Sequence, residues 1–298
     1  MTHPHKPEDD FAEVLPFEMS APAQHVPFVL NSPHSGRFYP PRFLAMSRLD
    51  AAQIRRSEDC YVDELFAGVA SLGVPLLKAN FPRAYLDVNR EPFELDPRMF
   101  SGTLPAFANS RSPRVAGGLG TVPKLVGEGL DIYRARLPVG EALDRIEHFY
   151  KPYHEALKDL LMRTHRAFGH AVLVDCHSMP ANVRSGENRR PDFIIGDRFG
   201  TSASPMLTDT AMRLLASMGY HVVHNKPYAG GFITEHYGRP AHNLHAIQIE
   251  VNRGLYMNER TLKKNSGFDA LADDLSHFMR ELVSIPDDYL FGLPLAAE

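Results

Sequence analysis

The sequence predicts an α/β fold built on a mixed, largely parallel sheet with helices on both faces. Three observations carry this expectation. Segments of strand character alternate with segments of helical periodicity along the whole chain. The strongest strand candidates, VPFVLN, AVLVD and AIQIEV, are mostly apolar, as strands covered on both faces are. The chain has 298 residues, of which 44% are hydrophobic, enough to bury one large core or two small ones. Residues 25–298 read as one domain behind a polar, Pro-containing and loosely ordered arm over 1–24.

Taken in order, Val26–Asn31 reads as the first strand, and it runs into the turn-like Ser32-Pro33-His34-Ser35-Gly36. Two helical pieces are expected next, over Leu49–Arg56 and Ser57–Leu72. Ser57 is a candidate N-cap, and Tyr61, Val62, Leu65, Val69 and Leu72 form an apolar stripe. Pro75–Ala79 and Ala84–Val88 read as short strands. Residues 101–121, rich in Gly, Ser and Pro, form a long loop of the kind that is usually functional. Glu141–Phe168 has helical periodicity interrupted at Pro152, which predicts a kink or two abutting helices. Ala171–Asp175 and Phe193–Gly196 are strands, Ser204–Met218 a helix, and His221–Val223 the start of a strand. Gly230-Gly231 marks a tight turn. The strand carrying Glu250 follows, and Phe268–Val283 is a closing amphipathic helix.

Composition excludes several classes. A net charge of −4 offers no general attraction to nucleic acid or anionic membrane, and no basic stripe with interleaved aromatics occurs. No apolar run approaches the roughly 20 residues a membrane helix needs. The N-terminal stretch lacks the basic-then-apolar pattern of a signal peptide, so a soluble cytoplasmic protein is expected. Two cysteines, Cys60 and Cys176, make neither a disulfide framework nor a cysteine zinc finger. The serine-nucleophile elbow Gly-x-Ser-x-Gly is absent, and Gly117-Gly118-Leu119-Gly120 lacks the ending of a phosphate loop.

The residues with chemical promise cluster at strand ends, where ligands of open α/β sheets collect. Glu250 is an acid within an apolar strand, where a bare charge is costly. It is either paired structurally, with Arg253 as the nearest partner, or catalytic. His34 and His177 each follow a strand and each precede a serine, a placement that suits zinc. A third ligand is sought among Glu58, Asp59 and Asp63. Asp175, two residues before His177, can orient an imidazole. Arg83, Arg90 and Arg253 adjoin strand ends and suit an anionic substrate, or else pair with nearby acids. Asn89 donates to a substrate carboxylate or caps a turn. Cys176 and His177 are adjacent on a strand and so face opposite ways, which argues against a Cys/His pair.

In sequence order, NSPHSG (31–36), SEDCYVDELF (57–66), NFPRAYLDVNRE (80–91), IYRARLP (132–138), YKPYHEAL (150–157), LVDCHSMP (173–180), PDFIIGDRFGTSA (191–203), KPYAGGFITEHYG (226–238) and HAIQIEVNRGLYMNE (245–259) resemble the N-formylglutamate amidohydrolase family. The resemblance implies a zinc-carboxypeptidase-like (phosphorylase/hydrolase-like) α/β fold. It implies His34, Asp59 and His177 as metal ligands, and the hydrolysis of N-formyl-L-glutamate to formate and L-glutamate, a late step of histidine breakdown.

On that reading Glu250 is the general base and then acid, and Arg90 stabilises the oxyanion. Arg83, Asn89 or Arg253 hold substrate carboxylates, and Tyr228 with Gly230-Gly231 shapes the pocket wall. Zinc is the expected metal, with Mn, Fe or Co able to occupy a similar site. The expected partner is a small acidic N-acyl amino acid. A related N-acyl-amino-acid deacylase or a carboxypeptidase-like peptidase would use the same metal and base. A metabolite-binding protein without turnover is a third reading, disfavoured by the joint presence of His34, His177 and Glu250.

Overall fold

The computed structural model describes residues 14–23, 26–186 and 189–291. It is a mixed α/β structure with one seven-stranded sheet. The strands are β1 Phe17–Ser20, β2 Phe28–Ser32, β3 Leu76–Ala79, β4 Ala171–Met179, β5 Phe193–Gly196, β6 Val222–His224 and β7 Leu244–Asn252. Their order across the sheet is β1-β3-β2-β4-β7-β5-β6. β2 and β4 are parallel, as are β4 and β7, and β5 and β6; β7 and β5 are antiparallel. All nine residues of β4 are buried, which explains the apolar run that made it legible. Of the arm expected over residues 1–24, residues 1–13 and 24 lie outside the described residues, and Phe17–Ser20 is the strand β1 at one edge of the sheet.

The chain divides into two compact units. The first comprises the described residues up to Glu18, with Pro33–Cys60 and Lys78–Leu157. Its helices are α1 Pro41–Met46, the short α3 Pro113–Ala116 within the expected long loop, and α4 Val139–Arg145. The second comprises Met19–Ser32, Tyr61–Leu77 and the chain from Lys158 onward. It holds α2 Val62–Leu65, α6 Pro205–Ser217, α7 Phe232–Tyr237, α8 Phe268–Val283 and α9 Asp287–Phe291. The helix α5, Lys151–Phe168, runs across this division of the chain.

Several expectations match closely. α8 has the anticipated bounds and buries Phe268, Leu271, Leu275, Phe278, Met279 and Leu282, one stripe at helical spacing. Ser204 caps α6 by accepting from the Leu207 amide. The interruption at Pro152 takes the form of a π turn over Ile146–Tyr150 that joins α4 to α5. Proline has no N–H to give to the preceding turn, and the ladder widens just before it.

Two regions differ from expectation. Leu49–Arg56 is a series of turns, and the helix expected over Ser57–Leu72 begins only at Val62. The Asp59 amide is spent on the His34 carbonyl at 3.0 Å, which draws 57–60 out of the helix. Tyr61 then turns the chain with a φ of 65°, and α2 has no side-chain cap, so Ser57 does not serve as one. A 3-10 helix, Ala67–Leu72, completes the segment. Ala84–Val88 is a buried turn rather than a strand, because the Tyr85 and Leu86 amides both bond to the Pro82 carbonyl. The helix α7 carries no clear apolar periodicity and was not anticipated.

The first unit is held by a buried cation. The Arg145 guanidinium donates to Glu141 at 2.9 and 3.1 Å, to the Tyr85 carbonyl at 2.8 Å and to the Tyr133 hydroxyl at 2.9 Å. It lies 3.9 Å over the Tyr85 ring. Arg42 also pairs with Glu141 at 2.7 Å. Burial alone would raise the Glu141 carboxyl, but Arg145 and Arg42 hold it below its ordinary value. Arg145→Met leaves Glu141 with one partner and the Tyr85 carbonyl with none from this side chain. We expect a loss of about 3–5 kcal/mol in urea unfolding; a loss under about 1 kcal/mol would show the network to be dispensable.

In the second unit, two buried histidines sit against Phe291 of α9. The His245 ring stacks on it at 4.7 Å and the His170 ring tilts against it at 4.6 Å. His245 Nδ1 accepts from the Ser204 amide, and His170 Nε2 lies 3.3 Å from Asp287. Burial, and then the nearby His170, push His245 down to about 4. Between roughly pH 6.5 and 4 the unfolded chain therefore takes up a proton that the folded chain refuses, and stability falls as the pH falls. The full effect is about 3 kcal/mol. His245→Gln is expected to flatten the dependence of unfolding free energy on pH in this window. An unchanged slope would assign the acid sensitivity elsewhere.

Candidate metal centre and surrounding residues

β2 and β4 run parallel side by side; His34 lies just past the end of β2, whereas His177 lies within β4, which extends four residues beyond the Asp175 end expected from the sequence. In β4, His177 Nε2 lies 2.9 Å from Asp175 Oδ2, the contact expected from their spacing. Asp175 Oδ1 accepts from the Asn31 side-chain amide of β2 at 2.8 Å. In the first unit, His34 Nε2 lies 2.8 Å from Asp87 Oδ1. A carboxylate only accepts, so in each ring Nε2 is the donor, and Nδ1 is the atom left to offer a lone pair to a metal. His34 Nδ1 lies 3.5 Å from Asp59 Oδ2.

His34, Asp59 and His177 are all buried and offer ligand atoms that lie within 4.8 Å of one another. Two imidazoles and one carboxylate form a donor set that can bind a divalent metal. The other two acids considered for the third position have different places. Glu58 is taken by the Arg55 fork at 2.8 and 2.9 Å and by the Tyr39 hydroxyl. Asp63 is buried on α2 and is not part of the group.

Asp59 is held where it is by the backbone. Its amide bonds to the His34 carbonyl, and its own carbonyl accepts from the Ser35 hydroxyl at 3.0 Å. Gly36 permits the next close approach. A Cβ there would lie 2.0 Å from the Phe81 carbonyl oxygen.

Asp87 gathers the arginines that the sequence analysis set aside for substrate. Its Oδ2 accepts from Arg83 Nε at 2.9 Å and lies 3.7 Å from Arg90 Nη2, and its Oδ1 accepts from the Asn89 amide. Burial would raise the Asp87 carboxyl; Arg83, Arg90 and His34 together hold it well below the usual range. Arg90 is further fixed by the carbonyls of Leu119 and Asn89, and burial pushes it down to about 10. Leu119 belongs to the long loop, so that loop helps to position Arg90.

Glu250 lies opposite His177 in the register of β4 and β7, and Gln248 lies opposite Asp175. Paired residues of adjacent strands point to one face, so the four side chains share a face of the sheet. Gln248 donates to Glu250 Oε1 at 2.9 Å and accepts from the Gly231 amide at 2.8 Å. It thereby ties the Gly230-Gly231 turn to the acid. Tyr228 is half-buried in the segment leading to that turn. Arg253 donates to Ser178 Oγ at 3.0 Å and lies 3.9 Å from Glu259. Cys176 is on the alternate face, and burial pushes its thiol well up.

Sequence reasoning passed over Asp87 as a partner of His34, because 53 residues separate them and no spacing signals the contact. It passed over Gln248 although a signal existed: a second polar residue two positions before Glu250 in an apolar strand.

A sequence model of the N-formylglutamate amidohydrolase family matches residues 26–257. The chain is 30% identical over 241 residues to an N-formylglutamate deformylase of Pseudomonas putida, covering 78% of this chain and 83% of that protein. It is 29% identical over 252 residues to an N-formylglutamate deformylase of Pseudomonas aeruginosa, covering 83% and 87%. It is also similar to the crystal structure of an N-formylglutamate amidohydrolase from Ralstonia eutropha JMP134. That similarity has a TM-score of 0.84 and 36% identity, and covers 90% of this chain and 98% of that one.

The close approach at Gly36 generates a test of local packing. Gly36→Ala forces the segment after His34 away from Phe81, at an expected cost of about 1–3 kcal/mol in denaturant unfolding. Wild-type stability in this variant would mean that the backbone yields without strain.

Proposed function

The chain belongs to the N-formylglutamate amidohydrolase family, and from that premise we propose that it is a zinc-dependent hydrolase of N-formyl-L-glutamate. The products are formate and L-glutamate, in a late step of histidine breakdown in the cytoplasm. The observation that carries the reading is the buried group of His34, Asp59 and His177, in a family whose relatives are named for this reaction. We read the mixed sheet, with His34 just past β2 and His177 near the C-terminal end of the parallel strand β4, as the zinc-carboxypeptidase-like arrangement.

The donor set fits zinc. It is buried, mixed in nitrogen and oxygen, and its imidazoles are oriented through Nε2 by Asp87 and Asp175. A divalent metal bound there supplies Lewis acidity and lowers the pKa of a water from about 15.7 toward roughly 7. The protein's own residues do the rest. Glu250 accepts the proton of the attacking water and delivers it to the amide nitrogen as the C–N bond breaks. Gln248 holds Glu250 in place through Oε1.

The water oxygen joins the formyl carbon, which leaves as formate, and the nitrogen leaves as the amine of glutamate. Arg90, fixed by two carbonyls, stabilises the charge that develops on the formyl oxygen. Arg83, Asn89 and Arg253 hold the substrate carboxylates, and Tyr228 with the Gly230-Gly231 turn forms the wall.

The test is formate release from N-formyl-L-glutamate by protein stripped with chelator and then resupplied with zinc. Activity is expected to vanish and return with the metal, whereas undiminished release after stripping would exclude a metal role. Glu250→Gln is expected to keep stoichiometric zinc and lose at least about 100-fold in turnover. Near wild-type turnover in that variant would remove Glu250 as the base.

A further inference from the structure

The motif IYRARLP has no role in the chemistry above, yet it lines a cavity of 270 Å³ in the first unit. Four cations, Arg98, Lys124, Arg134 and Arg136, face it together with one acid, Asp131, and with Tyr133. This reverses the balance of a chain whose net charge is −4.

The charges are not all compensated from within. Arg98 is neutralised by a two-pronged contact with Asp96. Asp131 is shared between Lys124 at 3.7 Å and Arg48 at 3.9 Å. Among the described residues, neither Arg134 nor Arg136 forms an ion pair with a carboxylate.

The wall is also fixed in position. Arg134 Nε donates to the Ser47 carbonyl at 2.7 Å, which anchors the guanidinium while leaving its terminal nitrogens for a ligand. The Arg134 amide bonds to the Met46 carbonyl, and Tyr133 is held by Arg145. A guanidinium anchored in this way loses little freedom on binding, and its planar fork matches carboxylate and phosphate oxygens.

We propose that this cavity is a second ligand site, independent of the hydrolytic reading, that binds a small polyanion through phosphate or carboxylate groups. Arg134 and Arg136 supply the uncompensated charge, and Lys124 adds to it by exchanging part of its contact with Asp131. At 270 Å³ the cavity falls just below the usual range of small-molecule pockets, a size that suits a small metabolite rather than a polymer.

The test is calorimetric titration of the full chain at low ionic strength with 3-phosphoglycerate and, separately, with tricarballylate. At least one probe is expected to bind one to one, and which one binds distinguishes a phosphate source from a carboxylate source. Arg134→Gln/Arg136→Gln is expected to weaken that binding at least tenfold, as is salt at roughly 0.5 M. Arg136→Gln alone, which removes a side chain with no ion pair among the described residues, is expected to weaken it by a smaller factor. Formate release without probe should be the same in wild type and variants, so this proposal and the hydrolase reading fail separately. Absence of binding by both probes, or equal binding to wild type and the double variant, overturns the site.

Discussion

Charge that is taken out of water has to be matched, and around the two histidines the matching is done by carboxylates. Asp87 and Asp175 are both buried, and each takes an imidazole Nε2 on one oxygen. Asp87 takes arginine on the other oxygen, and Asp175 takes the Asn31 amide. Burial by itself would favour a protonated Asp87; Arg83, Arg90 and His34 reverse that preference. The Nε2 contacts of His34 and His177 and the anchoring of two arginines therefore all follow from the placement of two buried carboxylates.

The sheet imposes the second half of the arrangement through register. The parallel pairing of β4 with β7 sets Asp175 beside Gln248 and His177 beside Glu250. A slip of β7 by one residue would set Ile249 or Val251 beside His177 and turn Glu250 to the opposite face. The slip is opposed by the apolar residues that alternate with these polar ones, since Val174, Cys176, Ile247, Ile249 and Val251 are all fully buried. Packing on one face thus holds the polar row on the other, and loss of the apolar face would cost the site as well as the fold.

Much of this was legible before the structure because the relevant signals are local. The apolar runs that became β4, β5 and β7, the helix expected over Ser204–Met218, the stripe of α8 and the interruption at Pro152 each depend on neighbours within about two turns or one strand. Residues 57–61 and 84–88 misled for the opposite reason. Their helical and strand-like patterns are real, but the Asp59 amide is claimed by His34 and the Asp87 amide by Thr121. Backbone bonds, long-range at Asp59 and Asp87 and local at Tyr85 and Leu86, outweighed the side-chain pattern in the very segments that carry Asp59 and Asp87.

What the sequence by itself determined is the order and type of the main elements, the family, and the residue types capable of the chemistry. The ordered motifs and the association of each histidine with an apolar strand are properties of the linear chain. The residues by themselves left three acids open, and the tertiary structure brings Asp59 to the histidines, as the family resemblance implied. Glu58, Asp59 and Asp63 are alike by spacing, and the choice rests on the Arg55 fork that occupies Glu58 and the backbone bond that places Asp59. It also decided that Asp87 and Gln248 contact His34 and Glu250, since side-chain partners are selected by the packed geometry of the folded chain, 53 residues apart in the case of His34 and Asp87. A carboxylate's role depends on which cations and N–H groups surround it, and that environment exists only once the chain has folded.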